Sequence, residues 1–505
     1  MKCSKGHENV EGAKFCEICG ERLEQKTSRS PLYVIFLVVI LIGIAALVVW
    51  QKDALFSKRD TTQVVESVDT GLPEQAATDA EIILRLHGSN TVGAKLAPDL
   101  AKGFLASLGA STIQVIQTAE VEKIVQGTIN GKAQAVEIKA HGSSTGFRSI
   151  MDKECDIGMA SRPAKEKEVV MLKEAVFGDF TSFACEHVLA LDGIAIIVNR
   201  SNPVDKLNIN TIARMFSGEI TNWKDAGGED LPVRVYSRDD NSGTYETFKK
   251  LVLGKTYKLV ADARRFESNA KLSDSVSQDP SAIGFTALPY VRQAKALDVF
   301  QGESFPLRPS YFTVATEDYL LSRRLFLYTT DNPQNQLTVK FIHFALSEAG
   351  QKLVFKNHFI PLGVEREKTA ISPNAPTEYR DLLQQAERLS LNFRFRSGSY
   401  QLDNKAMRDL ERLVDFLRGP DYRDAELILL GFSDNLGAQD KNIKLSVIRA
   451  RTVFRELLAR GIDDAHFAMT VRGLGPALPV ASNETADGRR KNRRVEVWVK
   501  TRTQG

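Results

Sequence analysis

Residues 31–50, PLYVIFLVVILIGIAALVVW, contain no charged side chain over 20 positions. A helix of this composition has no polar face to offer water. At about 1.5 Å per residue it covers the roughly 30 Å hydrocarbon core of a bilayer. Tyr33 and Trp50 sit near its ends, where amphipathic rings prefer the membrane–water interface. A secretory signal would begin near Met1, with a shorter apolar core and a small-residue cleavage point, so the run predicts a single membrane span. Lys2, Lys5, Lys14, Arg22, Lys26 and Arg29 precede it, against Lys52, Lys58 and Arg59 just after it. That bias puts the N-terminus in the cytoplasm and the bulk of the chain beyond the inner membrane, in the periplasm.

The short head before the span holds Cys3, His7, Cys16 and Cys19. The Cys16-x-x-Cys19 turn brings two thiolates to one ion, and Cys3 and His7 complete a tetrahedral set suited to structural zinc. So short a segment has almost no apolar core, so metal binding would have to supply its folding energy. The competing readings are a redox pair or a disulfide, and the extra Cys3 and His7 favour metal. The pattern resembles the short zinc ribbons of bacterial membrane proteins, with His7 in place of a usual cysteine. Reduced thiols also agree with a cytoplasmic head. Cys155 and Cys185 fall beyond the span, where they can pair or remain buried thiols.

A chain of 505 residues exceeds what one core supports and predicts several domains. Its formal net charge of +4 is small for this length and argues against a nucleic-acid binder. Residues 51–80 lack apolar periodicity and read as a linker. From Glu81 to about Gly363, apolar strand-like runs alternate with helical patterns, an α/β arrangement. In such sheets ligands collect at strand C-terminal ends. Four strand-to-helix junctions there carry hydroxyls and arginines: Ser89-Asn90-Thr91, Ser143-Ser144-Thr145, Ser161-Arg162, and Arg238 with Ser242-Gly243-Thr244. A helix start offers free N–H groups and the positive end of a dipole to an anion. Any one of these junctions is ordinarily an N-cap; four of them together point to an oxyanion site. Ser242 lacks a Gly-x-Ser-x-Gly elbow, and no histidine falls in a recognisable catalytic motif, so an enzyme is not expected.

The runs GSNTV, GSSTG, DIGMASRPAKEKE, LALDGIAIIVNRSNP, MFSGEITNWKDAGG, SRDDNSGTYETF and AIGFTALPYV resemble, in that order, periplasmic phosphate-binding proteins of ABC transporters. The resemblance implies two α/β lobes clamping phosphate, with Ser89, Thr91, Ser143, Ser144, Ser161, Arg162, Arg238, Ser242, Gly243 and Thr244 as ligands. Some members carry aspartate where Arg162 stands, accepting the proton of a protonated phosphate. An arginine only donates, which keeps another tetrahedral oxyanion open as the ligand.

Beyond a polar, proline-containing stretch, residues 385–505 read as strands alternating with amphipathic helices. In DKNIKLSVIRARTVFRELLARG the expected apolar stripe is Ile443, Val447, Ala450, Phe454 and Leu457. Asn442 and Arg449 are two helical turns apart on one side, and Asp434 ends the preceding strand. An acid beside a guanidinium suits a zwitterion, though surface Asp–Arg pairs are also common. GFSDNLGAQDKNIKLSVIRARTV and GIDDAHFAMTVRGLGPALPVASNETADGRRKNRRVEV resemble the OmpA-like peptidoglycan-binding domain. That likeness implies a βαβαβ domain binding diaminopimelate: Asp434 meets the ammonium, Arg449 the carboxylate, and Ser433, Asn442 and Arg493 support them.

The expected molecule is multidomain, α/β and α+β. It comprises a zinc ribbon (1–25), a transmembrane helix (31–50), a linker (51–80), a two-lobed phosphate-binding-like domain (81–365), a linker (366–384) and an OmpA-like domain (385–505). It would capture phosphate for uptake, with an ABC transporter as partner, or for sensing, while tethered to inner membrane and peptidoglycan. The alternative is a purely structural envelope tether.

Overall fold

The computed structural model describes residues 80–240, 242–395, 399–422, 425–462 and 467–501. The expected zinc ribbon and membrane span lie outside the described residues. Among the described residues, no helix is long and apolar enough to cross a membrane.

The middle domain is organised by one strand. Its strands are β1 (Glu81–Gly88), β2 (Ser111–Ala119), β3 (Glu122–Ile129), β4 (Lys132–Lys139), β5 (Ile157–Ala160), β6 (Glu186–Val198), β7 (Lys206–Asn208), β8 (Arg234–Arg238), β9 (Arg264–Phe266), β10 (Ala282–Ala287), β11 (Lys295–Ala296), β12 (Asp298–Phe300) and β13 (Ser322–Tyr328). The main sheet runs β2-β3-β4-β1-β5-β13-β6-β10-β8-β9, with β11 added on β6. The sequence of β6, EHVLALDGIAIIV, is buried at every position after the first. Burial on both faces demands such continuous apolarity, where a half-exposed strand would alternate. Residues 186–193 of β6 pair antiparallel with β13, and residues 194–198 pair with β10. One strand therefore serves both halves of the domain, and Asp192-Gly193 lies at the changeover. A Cβ on Gly193 would stand 2.6 Å from Val314, so the residue must be small there.

Each half closes over its own apolar layer. In the first, the helix Leu96–Ser107 sets Phe104 edge-on to Phe341 at 5.2 Å. In the second, Phe248 stacks on Phe285 at 4.0 Å, with Phe216 against both. Cys155 and Cys185 are free thiols, and burial pushes Cys155 up to about 12.

The C-terminal domain is a sheet of β14 (Arg366–Glu367), β15 (Glu387–Arg394), β16 (Glu426–Gly431), β17 (Ala468–Gly473) and β18 (Arg494–Lys500), ordered β14-β15-β18-β16-β17. Helices Asn404–Leu417 and Gln439–Leu458 cover one face through Leu410, Leu413, Val453 and Leu457. The strand–helix alternation is as expected, and it continues through a helix at Ala486–Asn492 into β18, which takes an inner place in the sheet. The opposite face buries Ile428, Leu430, Phe432 and Trp498 under Tyr379.

Residues 366–384, expected as a linker, form part of this domain. They contain β14 and the helix Thr377–Leu382. The reason is Tyr379, whose ring meets Trp498 edge-on at 6.0 Å and whose hydroxyl donates to Glu496 at 3.0 Å. The apolar stripe of Gln439–Leu458 is also rotated from the expectation. Asn442, Ser446, Arg449, Ala450, Val453 and Leu457 are buried, whereas Ile443 is exposed. The inward face of its first turns is polar, which apolar periodicity cannot reveal.

Candidate functional site

A cavity of about 500 Å³ opens where the two halves of the middle domain meet. The helix start at Asn90 lines it from the first half, and Arg238 with Ser242, Gly243 and Thr244 lines it from the second. The loops approach closely: a Cβ on Gly243 would lie 2.5 Å from Thr91 Oγ1. Ser242 caps the helix Gly243–Phe248, its Oγ accepting from Tyr245 N at 3.3 Å, so its own proton stays available to donate. Ser89 lies beneath, 1% exposed, and neither its hydroxyl nor Asn90 Oδ1 has a hydrogen-bond partner. Orphaned buried polar atoms are costly, so their presence beside a cavity is a sign of ligand binding.

Arg238 is held from behind. Its Nε donates to Phe266 O at 3.0 Å and Nη2 to Glu267 O at 2.6 Å, while Asp239 stands 3.6 Å away. Its other terminal nitrogen makes no hydrogen bond among the described residues. Burial pulls the guanidinium below its usual range, and Asp239 opposes that pull. Of the two neighbouring aspartates, Asp239 orders Arg238 and Asp240 pairs with Arg265 at 3.1 Å.

The other expected anion ligands are not at this cavity. Ser143 and Ser161 bond one another: Ser161 N donates to Ser143 Oγ at 3.0 Å, and their hydroxyls are 3.3 Å apart. Arg162 is consumed by Glu168 through two 2.7 Å bonds, donates to Ser144 Oγ at 2.9 Å and lies over the Phe147 ring. Glu168 falls in the first turn of Glu166–Glu174, which fixes this fork away from the cavity.

Two residues that the sequence did not suggest occupy the junction itself. Asp192 of β6 lines the cavity, and Arg323 of β13 donates to it through Nε at 3.1 Å. Nη2 of Arg323 also donates to Thr91 Oγ1 at 3.0 Å and Gly243 O at 3.2 Å, so this one guanidinium touches both halves. The available signal was a lone acid inside an apolar strand and a paired Arg-Arg inside another, since a buried charge needs a partner.

In the C-terminal domain, Asp434 follows β16 and its charge acts on Arg449, but among the described residues the acid pairs with Arg493 instead. Arg493 Nη1 donates to Asp434 Oδ2 at 2.8 Å, and Asp434 Oδ1 accepts from Leu436 N at 3.1 Å. Ser433 is 2% exposed with its hydroxyl donating to Asp434 O, and Asn442 Nδ2 donates to Leu436 O at 3.1 Å. These two shape the loop that carries the acid. Arg449 is 3% exposed, yet its best polar contact is Phe432 O at 3.5 Å, and its Nε has no partner. Burial, then the charge of Arg493, pushes it down to about 10. Its guanidinium lies over the Phe395 ring at 5.5 Å, which leaves its N–H groups poorly satisfied.

Comparison with known proteins places this architecture. Residues 101–349 match the family described as PBP superfamily domain, and residues 394–493 match the OmpA family. Protein SphX of Synechococcus elongatus is 30% identical over 266 residues, covering 50% of this chain and 76% of its own. The chain belongs to the PBP superfamily. The phosphate-binding protein PstS of Borreliella burgdorferi is 26% identical over 265 residues, covering 51% of this chain and 89% of its own. Among solved structures, an ABC-type phosphate transport receptor from Vibrio cholerae aligns with TM-score 0.43 at 25% identity, covering 55% of this chain and 99% of that one. The PBP superfamily domain makes this chain a binder and not an enzyme. Its C-terminal partner is an OmpA domain, and the pairing points to an extracytoplasmic location.

Proposed function

We propose that the chain is a phosphate-binding protein of the cell envelope, held to peptidoglycan by its OmpA domain and to the inner membrane by residues 31–50. The observation that carries the reading is the convergence of Asn90, Thr91, Arg238, Ser242, Gly243 and Thr244 on one cavity between the halves of the PBP domain. The matched phosphate-binding relatives agree with it. Asp192 favours phosphate over a fully ionised oxyanion such as sulfate. A carboxylate among donors accepts a proton from monohydrogen phosphate and repels an anion that has none. Captured phosphate would pass to an ABC transporter or report its own abundance. At the OmpA domain, Arg449 would take the carboxylate of diaminopimelate and Asp434 its ammonium, displacing part of the Arg493 contact. In the head, Cys3, His7, Cys16 and Cys19 are a donor set that fits tetrahedral zinc.

Calorimetric titration of the purified full-length chain with phosphate tests the central claim. A saturable high-affinity event should weaken about 10- to 100-fold in Arg238→Ala, the loss expected for charge-assisted hydrogen bonds of roughly 1.5–3 kcal/mol. No such event in the unaltered chain, or one indifferent to Arg238, would leave the molecule a structural tether. For the wall, sedimentation with purified peptidoglycan should fail for Asp434→Ala.

A further inference from the structure

The OmpA domain sits against both halves of the PBP domain. On the first half, Asn404 Nδ2 donates to Thr181 O at 3.0 Å and Glu186 Oε1 at 3.1 Å. Arg408 Nη2 donates there to Phe183 O at 3.2 Å and His187 Nδ1 at 2.8 Å. On the second half, Phe305 N donates to Pro479 O at 3.4 Å, and a Cβ on Gly302 would stand 3.1 Å from Ser482 Oγ. Between these contacts, Lys491 Nζ donates to Glu317 O at 2.9 Å, Tyr319 O at 2.8 Å and Ser322 Oγ at 3.1 Å. Tyr319 in turn donates its hydroxyl at 2.9 Å to the carbonyl of Ile194, the residue after the Asp192-Gly193 changeover. A domain fastened to both halves and to their changeover braces the angle between them.

The same brace reaches Asp434. Lys491, Asn492 and Arg493 follow one another at the end of the helix Ala486–Asn492 and hold three different places. Lys491 holds the changeover. Asn492, 1% exposed, holds the joint loop: its Oδ1 accepts from Val480 N at 2.9 Å and Ala481 N at 3.1 Å, and its Nδ2 donates to Ala481 O at 2.8 Å. Ala481 is packed into the PBP core. Arg493 Nη1 holds Asp434 Oδ2 at 2.8 Å. Asn483 adds a second tie, its Oδ1 accepting from Asn492 Nδ2 at 2.9 Å and from Asn435 N, beside Asp434, at 3.4 Å. A ligand ammonium that takes Asp434 would displace Arg493, and the disturbance would meet Asn492 and then Lys491.

We propose that occupancy of the wall site releases this brace, so that a peptidoglycan peptide and phosphate bind with positive cooperativity. The inference rests on the phosphate reading of the first cavity and on the diaminopimelate reading of Asp434. Its sign comes from the cavity. At about 500 Å³, against about 30 Å³ for each water of the liquid, the cavity holds far more than one phosphate, so the braced halves stand apart. Loosening the brace lets them close on the anion, and linkage makes the effect reciprocal. The wall-bound chain is then the one that holds phosphate best.

The probes are inorganic phosphate and the free tripeptide L-alanyl-D-isoglutamyl-meso-diaminopimelate, titrated calorimetrically into the full-length chain. Saturating tripeptide should tighten phosphate by about 5-fold or more, and saturating phosphate should tighten the tripeptide by the same factor. Lys491→Met keeps the alkyl stem, touches neither ligand and should abolish both gains. Asn483→Ala is milder and should reduce them; it takes over if melting without ligand shows that Lys491→Met has unfolded. Hydrogen exchange adds a readout that needs no phosphate, because the tripeptide alone should speed exchange across residues 316–322. Faster exchange there in a chain that ignores phosphate would remove the reading of the first cavity and leave the brace standing. Unchanged affinities in a chain that binds both ligands, or unchanged exchange in one that binds the tripeptide, would overturn the proposal. So would a chain that binds no tripeptide, which removes the wall reading as well and leaves the phosphate reading untouched.

Discussion

Asp192 and Arg323 pair across β6 and β13, and the proposed phosphate reading gives Asp192 the choice between anions at the first cavity. Asp192→Asn keeps the shape and a hydrogen-bonding oxygen but removes the negative charge. Phosphate should bind more weakly and sulfate more strongly, narrowing their affinity ratio by about 10-fold, a shift of roughly 1.4 kcal/mol. Competition titration reads it, and an unchanged ratio would remove Asp192 from the selectivity argument. Arg449 makes the opposite kind of case: if it serves the proposed peptidoglycan ligand, its burial without adequate partners costs stability in the free chain. Arg449→Met should hold or raise the melting temperature while abolishing sedimentation with peptidoglycan; a clear loss of stability would make the arginine structural. The sequence made some of these groups readable and hid others. Arg238, Ser242, Gly243 and Thr244 lie within seven residues of one another, so their loop was visible as a unit. Asp192 and Arg323 are 131 positions apart and meet only through sheet pairing. Arg162 does not line the first cavity because Glu168, six residues on, pairs with it, which the motif alone does not show.

At the scale of elements, alternating strands and helices were legible because each apolar run had its own period and its own glycine or cap. The register of Gln439–Leu458 was not, since its first turns bury the polar Asn442, Ser446 and Arg449, which apolar periodicity cannot reveal. Its true contact with β16 is set by Gly431. A Cβ there would stand 2.0 Å from Ser446 O, a backbone atom that cannot swing aside. Gly431→Ala should therefore push helix from strand and cost about 1–3 kcal/mol, as overpacking does. Thermal unfolding of the full chain would register it, and a neutral result would mean that the helix docks with more slack than the 2.0 Å approach allows. The short helix Thr377–Leu382 was hidden for a related reason: one tyrosine in a polar stretch gives no period, yet Tyr379 closes the face over Trp498.

At the scale of the molecule, the two domains are joined by buried charge. Asp318, 2% exposed, receives Arg388 Nη2 at 2.7 Å and Asn392 Nδ2 at 2.8 Å, with Arg394 at 3.5 Å and Arg494 at 3.9 Å. Burial alone would raise its carboxyl, but the charges of Arg388, Arg494 and Arg394 override that and hold it below the usual range. Glu317 is half-buried beside it, and Arg324 holds its carboxyl low. A carboxyl depressed in the folded state binds fewer protons there than in the unfolded chain. The stability it contributes is thus complete above the unfolded carboxylate range, near pH 4, and is lost as pH falls further. The joint should therefore loosen in acid before either sheet does. Asp318→Asn should reproduce that loosening at neutral pH, because it strands buried guanidinium charge at a cost of about 3–5 kcal/mol. Scanning calorimetry should show the two domains unfolding together in the parent at pH 7 and separating in Asp318→Asn, with the parent separating below pH 4. A single transition shared by parent and variant across that range would mean that apolar contacts, such as Ala481 packed into the PBP core, hold the joint instead.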